Sequence, residues 1–158
     1  VVKELRRSID LLTHRARKNQ ILIILKTKRE FMIDASPVKF NQIITNLLSN
    51  AIDSYGPAFK FNRRKKTIEI DIKEKKERIV ISVKDYGSGI PKPILNKIFN
   101  PFFTTKDCAK GTGIGLFLTK QIVENYFGGE IRVSTKEGKG SEFMVIIPKK
   151  LHQEHSQC

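Results

Sequence analysis

The stretch TIEIDIKEKKERIVISVKD, residues 67 to 85, decides the fold. TIEIDIKE and RIVISVKD each alternate apolar and polar residues, the period of a strand with one buried face. The charged triplet KKE between them reads as a tight turn, which makes the pair a hairpin. EIRVSTK and SEFMVIIP, joined by EGKG, form a second such pair near the end of the chain.

Helical patterns flank these hairpins. VVKELRRSIDLLTHRARKN repeats apolar residues at Val2, Leu5, Ile9, Leu12 and Ala16, a helical period. ILIILK and EFMID read as short strands around TKR. Ser36 and Pro37 then mark a helix start, with the serine as N-cap and proline in the first turn. That helix buries Phe40, Ile43, Ile44, Leu47, Leu48, Ala51 and Ile52 and stops at Gly56-Pro57. A loop-rich stretch from Tyr86 to Gly113 carries one short helix near Pro93 to Ile98. IGLFLTKQIVENYF is a further helix, closed by Gly128-Gly129. Strands and helices do not alternate as βαβ units, so the expected class is α+β: a two-layer sandwich with a mixed sheet covered by helices on one face. One domain over 1–148 and a polar, disordered tail over 149–158 are expected.

The bulk numbers exclude several classes. The chain has 158 residues, 39% of them hydrophobic, enough for one domain with a real core. It holds no apolar run of about 18 residues and no signal-peptide pattern. Two cysteines, Cys108 and Cys158, suit a reducing compartment rather than a disulfide framework. The expected location is therefore cytoplasmic, with membrane anchorage of a longer parent left open, since the chain begins at Val1 rather than Met. Net charge is +14, from 30 basic and 16 acidic residues, with one dense cluster from Lys60 to Lys66. Neither aromatic-rich strands nor zinc spacing accompanies that charge, so nucleic acid is not expected as a partner.

Four short segments carry chemistry. In NLLSNAID (46–53), Asn46, Asn50 and Asp53 fall within roughly 60° of one another at about 100° per residue. Short oxygen-bearing side chains are poor mid-helix residues, and a solvated face usually takes Lys, Glu or Gln. Aligned oxygens suit a hard cation such as Mg²⁺. On the helix alone, a polar face and a metal site stand level. In KDYGSGIP, Asp85 ends a strand and Gly87 and Gly89 follow, so a carboxylate meets backbone open to a ligand. Taken alone, an ordinary turn is the better reading of that segment. KGTGIGL places Gly111, Gly113 and Gly115 at a helix start, where N–H groups face an anion. It matches neither a P-loop nor the dinucleotide fingerprint. Finally, IFNPFFTTK sets Phe99, Phe102 and Phe103 beside Thr104, Thr105 and Lys106.

In their order, these four segments resemble the N, G1, F and G2 boxes of the ATP-binding domain of sensor histidine kinases. That domain belongs to the gyrase, heat-shock chaperone, histidine kinase and mismatch-repair (GHKL) superfamily with the Bergerat fold. The resemblance implies ATP and Mg²⁺ as ligands. It makes Asn50 the metal ligand and Asn46 a catalytic support for the metal and phosphate end. Asp85 would accept a hydrogen bond from the adenine amino group, with Gly87 and Gly89 shaping the floor of the base pocket; Ile90, Phe99 and Leu116 are included in the nucleotide site without a fixed role. Gly111, Thr112, Gly113 and Gly115 would hold phosphates. Residues 104–110 would form the lid, with Lys106 and Lys110 meeting phosphate and Thr105 included in the nucleotide site. Asp53 is included in the site without a fixed role, and Thr45, Ser49 and Tyr55 receive none.

Hydrolytic members of the superfamily carry Glu where Asn46 stands, and an amide cannot act as a general base. The resemblance therefore implies phosphoryl transfer to a histidine, on a dimerisation and phosphoacceptor domain absent from this chain. A response regulator would be an indirect partner, and the chain alone would be monomeric with little autophosphorylation. His14, His152 and His155 are rejected as acceptors. Two alternatives are a stand-alone anti-sigma-type serine kinase and a non-catalytic nucleotide-binding regulatory module.

Overall fold

The computed structural model describes residues 2–27, 36–56, 66–106 and 111–149. Helix α1 spans Val2–Lys18, strand β1 Leu22–Leu25 and helix α2 Pro37–Asp53. The hairpin follows as β2 (Thr67–Lys75) and β3 (Arg78–Asp85). Helix α3 (Gly115–Gln121) leads to β4 (Glu130–Lys136) and β5 (Gly140–Pro148). The expected EFMID strand, Lys60 to Arg64 and Lys65 of the basic cluster, Cys108, Lys110, both histidines of the tail and Cys158 lie outside the described residues.

The five strands form one mixed sheet in the order β1-β2-β3-β5-β4. Only β1 pairs in parallel, with β2, and the crossover between them contains α2. The 67–85 hairpin forms in the register its alternation demands, Ile68 opposite Asp85, Ile70 opposite Val83 and Ile72 opposite Ile81. A slip of one residue would turn each of these side chains to the other face. Lys76 takes the left-handed conformation at the turn, φ 54°.

The inward residues of β2, β3 and β5 are buried, among them Ile68, Ile70, Ile79, Ile81, Val83, Val145 and Ile147. Against them lie all seven apolar positions expected of α2. Burial of each isoleucine, leucine or phenylalanine among them contributes about 1.5–3 kcal/mol, so the contact between α2 and the sheet forms a large part of the core. Ser36 caps α2 by accepting from the Lys39 N–H at 3.5 Å.

Two expected helices come out differently. Near Pro93 there is only a single 3₁₀ turn, Lys92–Ile94. The IGLFLTKQIVENYF helix begins at Gly115 and widens into a π turn over Ile122–Tyr126. There the Phe127 N–H donates to Ile122 O at 3.1 Å, five residues back. The wider turn seats Phe127 in the core, 1% exposed. Side-chain packing sets that detail, which the helical period does not encode.

Candidate functional site

A cleft of about 670 Å³ opens between α2, the end of β3, the loop that follows it and the start of α3. That volume lies within the range of small-molecule sites, about 300–1,000 Å³.

Asp85 forms one end of the cleft. It is 4% exposed, and burial raises its carboxyl above the ordinary aspartate value. Hydrogen bonds to the charged form oppose that rise. The Gly87 N–H donates to Asp85 Oδ1 at 2.9 Å, and Ser54 Oγ stands 2.9 Å from the same oxygen. Ser54 Oγ also lies 2.8 Å from Ala51 O, so its one proton serves two acceptors. The Ser141 backbone also hydrogen-bonds the carboxylate. A carboxylate has about four acceptor positions, which leaves capacity for one donor from the cleft.

The loop beyond Asp85 is pinned from three sides. Ser88 N–H donates to Ser54 O at 3.1 Å, and Gly138 N–H to Ser88 O at 2.6 Å. Ile90 N–H donates to Thr135 Oγ1, and Tyr86 N–H to the Tyr55 hydroxyl, both at 2.9 Å. Gly87 is a packing requirement, since a Cβ there would stand 2.1 Å from Ser54 Oγ. The same holds at Gly140, where φ is +109° and a Cβ would meet Asp85 O at 2.1 Å.

The other end is built on α2. Asn46, Asn50 and Asp53 line the cleft together, as helical spacing requires. Asn46 Nδ2 donates to Gly115 O at 3.1 Å and to Thr119 Oγ1 at 3.2 Å, tying α2 to the first turn of α3. Asn50 Oδ1 accepts from Lys106 Nζ at 3.3 Å. Asp53 forms ion pairs with Lys106 through Oδ2 and with Arg15 through Oδ1. Arg15 Nη1 also donates to Ser49 Oγ at 2.7 Å. Among the described residues no group of three or more His, Cys, Asp or Glu could hold a metal. The oxygens of Asn50 and Asp53, gathered on one ammonium, nonetheless fit a hard cation that brings further ligands with it.

Glycines shape the third wall. Gly113 has φ +66°, and a Cβ there would stand 2.4 Å from Phe102 C. Gly111 leaves room for Thr104 Oγ1, which a Cβ would approach to 2.7 Å.

Of the residues expected in the site, Gly89, Ile90, Thr105, Lys106, Gly111, Thr112, Gly113, Gly115 and Leu116 line the cleft with Asp85 and the α2 trio. Gly87 stands behind Asp85 rather than on the cleft wall. Phe99 is also off the wall, half-buried against the core with Lys120 Nζ 5.7 Å from its ring centre. Lys110 lies outside the described residues. Sequence reasoning missed Arg15, Ser54 and Ser141, because nothing local marks a charged helix residue or a serine as facing a distant carboxylate. For Ser54, its place one residue beyond the Asn/Asp row was the only available signal.

Residues 35–151 match the family described as histidine kinase-, DNA gyrase B-, and HSP90-like ATPase. The sensor histidine kinase ZraS of Salmonella typhimurium is 36% identical over 143 residues, covering 89% of this chain and 29% of that protein. The chain thus spans less than a third of that relative's length. The nucleotide-free catalytic domain of histidine kinase ThkA superposes with a TM-score of 0.80 and 31% identity, covering 95% of this chain and 93% of that domain. Full-length ShkA in complex with AMPPNP gives a TM-score of 0.75 at 25% identity, over 92% of this chain and 29% of that one. The chain belongs to the histidine kinase-, DNA gyrase B- and HSP90-like ATPase family.

Proposed function

We propose that this chain is the ATP-binding catalytic domain of a sensor histidine kinase, and that it transfers the ATP γ-phosphate to a histidine outside the chain. The observation that carries this is the cleft itself. A buried carboxylate with spare acceptor capacity faces one end, and oxygen ligands, cations and glycine-rich backbone face the other. An adenine amino group suits the first end, and a metal-bound triphosphate the second. The resemblance to the sensor histidine kinase ZraS favours a histidine acceptor over the serine acceptor of an anti-sigma-type kinase.

In this reading Asp85 accepts the adenine amino group, a charge-assisted bond contributing about 1.5–3 kcal/mol. Ile90 and Leu116 flank the base. Gly111, Thr112, Gly113 and Gly115 border the phosphates, with Thr105, Lys106 and Lys110 as polar contacts. Asn50 would hold Mg²⁺, and Asn46 fixes the start of α3 beside it. When bound, the ion would supply positive charge that offsets the charge developing on the transferred phosphoryl group. The residues of the chain position the nucleotide and exclude alternatives: with an amide at position 46, no carboxylate there draws a proton from water. Phosphoryl transfer to an acceptor is favoured over hydrolysis accordingly. The acceptor would sit on a dimerising helical domain, with a response regulator downstream and sensory or anchoring segments elsewhere in the parent. Among the described residues no helix is long and apolar enough to cross a membrane.

Calorimetry with MgATP, followed by mixing the chain with labelled ATP and a phosphoacceptor domain of the parent, tests the proposal. Nucleotide binding and label on an acid-labile phosphohistidine are expected. A chain that binds neither ATP nor ADP would sink it.

A further inference from the structure

Lys106 is held more firmly than an ordinary surface lysine. Its backbone N–H donates to Thr104 Oγ1 at 3.1 Å. Its stem runs beside Gly111, where a Cβ would come within 3.0 Å of Lys106 Cβ. Its ammonium reaches across the cleft to α2, where it meets Asn50 Oδ1 at 3.3 Å and pairs with Asp53 Oδ2. One positive centre is thus gripped by two oxygens three residues apart on the same helix face. Asp53 is fixed in turn from behind, its Oδ1 paired with Arg15, which also donates to Ser49 Oγ. Its side chain is only 20% exposed.

We propose that Asn50 and Asp53 form a single cation seat, that Lys106 occupies it in the nucleotide-free protein, and that the Mg²⁺ arriving with nucleotide takes it over. This deepens the proposed nucleotide site and rests on it. Asn50 supplies a neutral oxygen ligand, and Asp53 supplies the negative charge that an amide lacks. A lysine ammonium and a divalent cation repel one another and cannot share two oxygens. Lys106 therefore leaves the seat as the metal enters. A triphosphate remains net negative with Mg²⁺ bound, and its oxygens are the nearest new partners for the displaced ammonium. Arg15 is a positioning residue here: it holds Asp53 Oδ1, so that Oδ2 faces the cleft.

The test is the magnesium ratio, the dissociation constant for ATP in EDTA divided by that in Mg²⁺, measured by calorimetry on the whole chain. In EDTA, Lys106 is the described ammonium that can reach both seat and phosphates, so Lys106→Met weakens binding there more than in Mg²⁺. The ratio is expected to rise about three- to fivefold, the scale of a part-exposed ion pair. Asp53→Asn weakens the seat for the metal, and its ratio is expected to fall by a similar factor. Because the two variants move the ratio in opposite directions, a shared loss of folding cannot imitate the result. Shifts in the same direction, or an unchanged ratio in both variants, overturn the seat while ATP binding stays intact. A wild-type chain that binds no nucleotide in either buffer overturns the seat and the proposed function together.

Discussion

The Ser54 hydroxyl stands 2.9 Å from the Asp85 carboxylate, joining the C-terminal end of α2 to the end of β3. Gly87 completes this corner: its N–H donates to the same oxygen, and its missing side chain leaves the space that Ser54 fills. The buried acid is therefore oriented from two elements at once, before any ligand arrives.

Replacing the acid separates binding from stability. Asp85→Asn keeps an oxygen for Gly87 and Ser54 but presents an amide where an acceptor is needed. ATP affinity is expected to fall roughly 10- to 100-fold, the loss of one charge-assisted hydrogen bond. Thermal stability at neutral pH is expected to hold or rise, because the buried charge is gone. Calorimetry and a melting curve on the same sample check both. Wild-type affinity in this variant would remove Asp85 from the base site.

Stability should also depend on pH through this one group. Burial raises its folded value, so the folded state holds the proton more tightly than the unfolded chain. The stability linked to Asp85 is then fully present below the ordinary value of 3.8 and is lost as pH rises through the raised one. The melting-temperature advantage of Asp85→Asn should accordingly be largest at neutral pH and vanish in acid. ATP affinity of the wild type should drop on acidification earlier than an ordinary aspartate titrates. A pH series of melts and titrations reads both, and a variant advantage that grew in acid would contradict the sign.

At the corner itself, Gly87→Ala drives a methyl to 2.1 Å from Ser54 Oγ. A cost of about 1–3 kcal/mol in unfolding free energy is expected, as for other overpacked sites. Ser54→Gly removes the nearest two atoms but leaves Ser54 O at 2.7 Å, so the double variant should recover part of the loss. Denaturant unfolding of the four proteins gives the coupling directly. Purely additive effects would place the clash elsewhere.

Asn46 offers a test of chemistry against size. Asn46→Ala loses two hydrogen bonds from Nδ2 to α3 and should cost about 1–2 kcal/mol. For a chain of this size each kcal/mol corresponds to about 2–4 °C in melting temperature. Asn46→Asp, nearly the same shape, turns a donor into a charged acceptor facing Gly115 O. It should melt lower than the alanine variant at neutral pH and recover in acid, and the opposite order would mean that Asn46 does not tie the two helices.

Local physics made much of this protein legible. Alternation over 67–85 determined a hairpin and its register, since a strand buries every second residue. The period of 37–53 determined which face of α2 meets the sheet, and all seven positions are buried there. The same helical spacing put Asn46, Asn50 and Asp53 on one line, and the order of four motifs pointed to a nucleotide. Tertiary structure alone decided what those residues meet. Arg15 reaches Asp53 across 38 residues and Lys106 reaches Asn50 across 56, contacts that no local period encodes. Ser54 and Gly140 matter only because folding carries Asp85 beside them, and the π turn before Phe127 exists because the core has a place for that ring. Period and propensity are properties of neighbours along the chain, whereas burial, ion pairing and the pKa of a carboxylate are properties of neighbours in space.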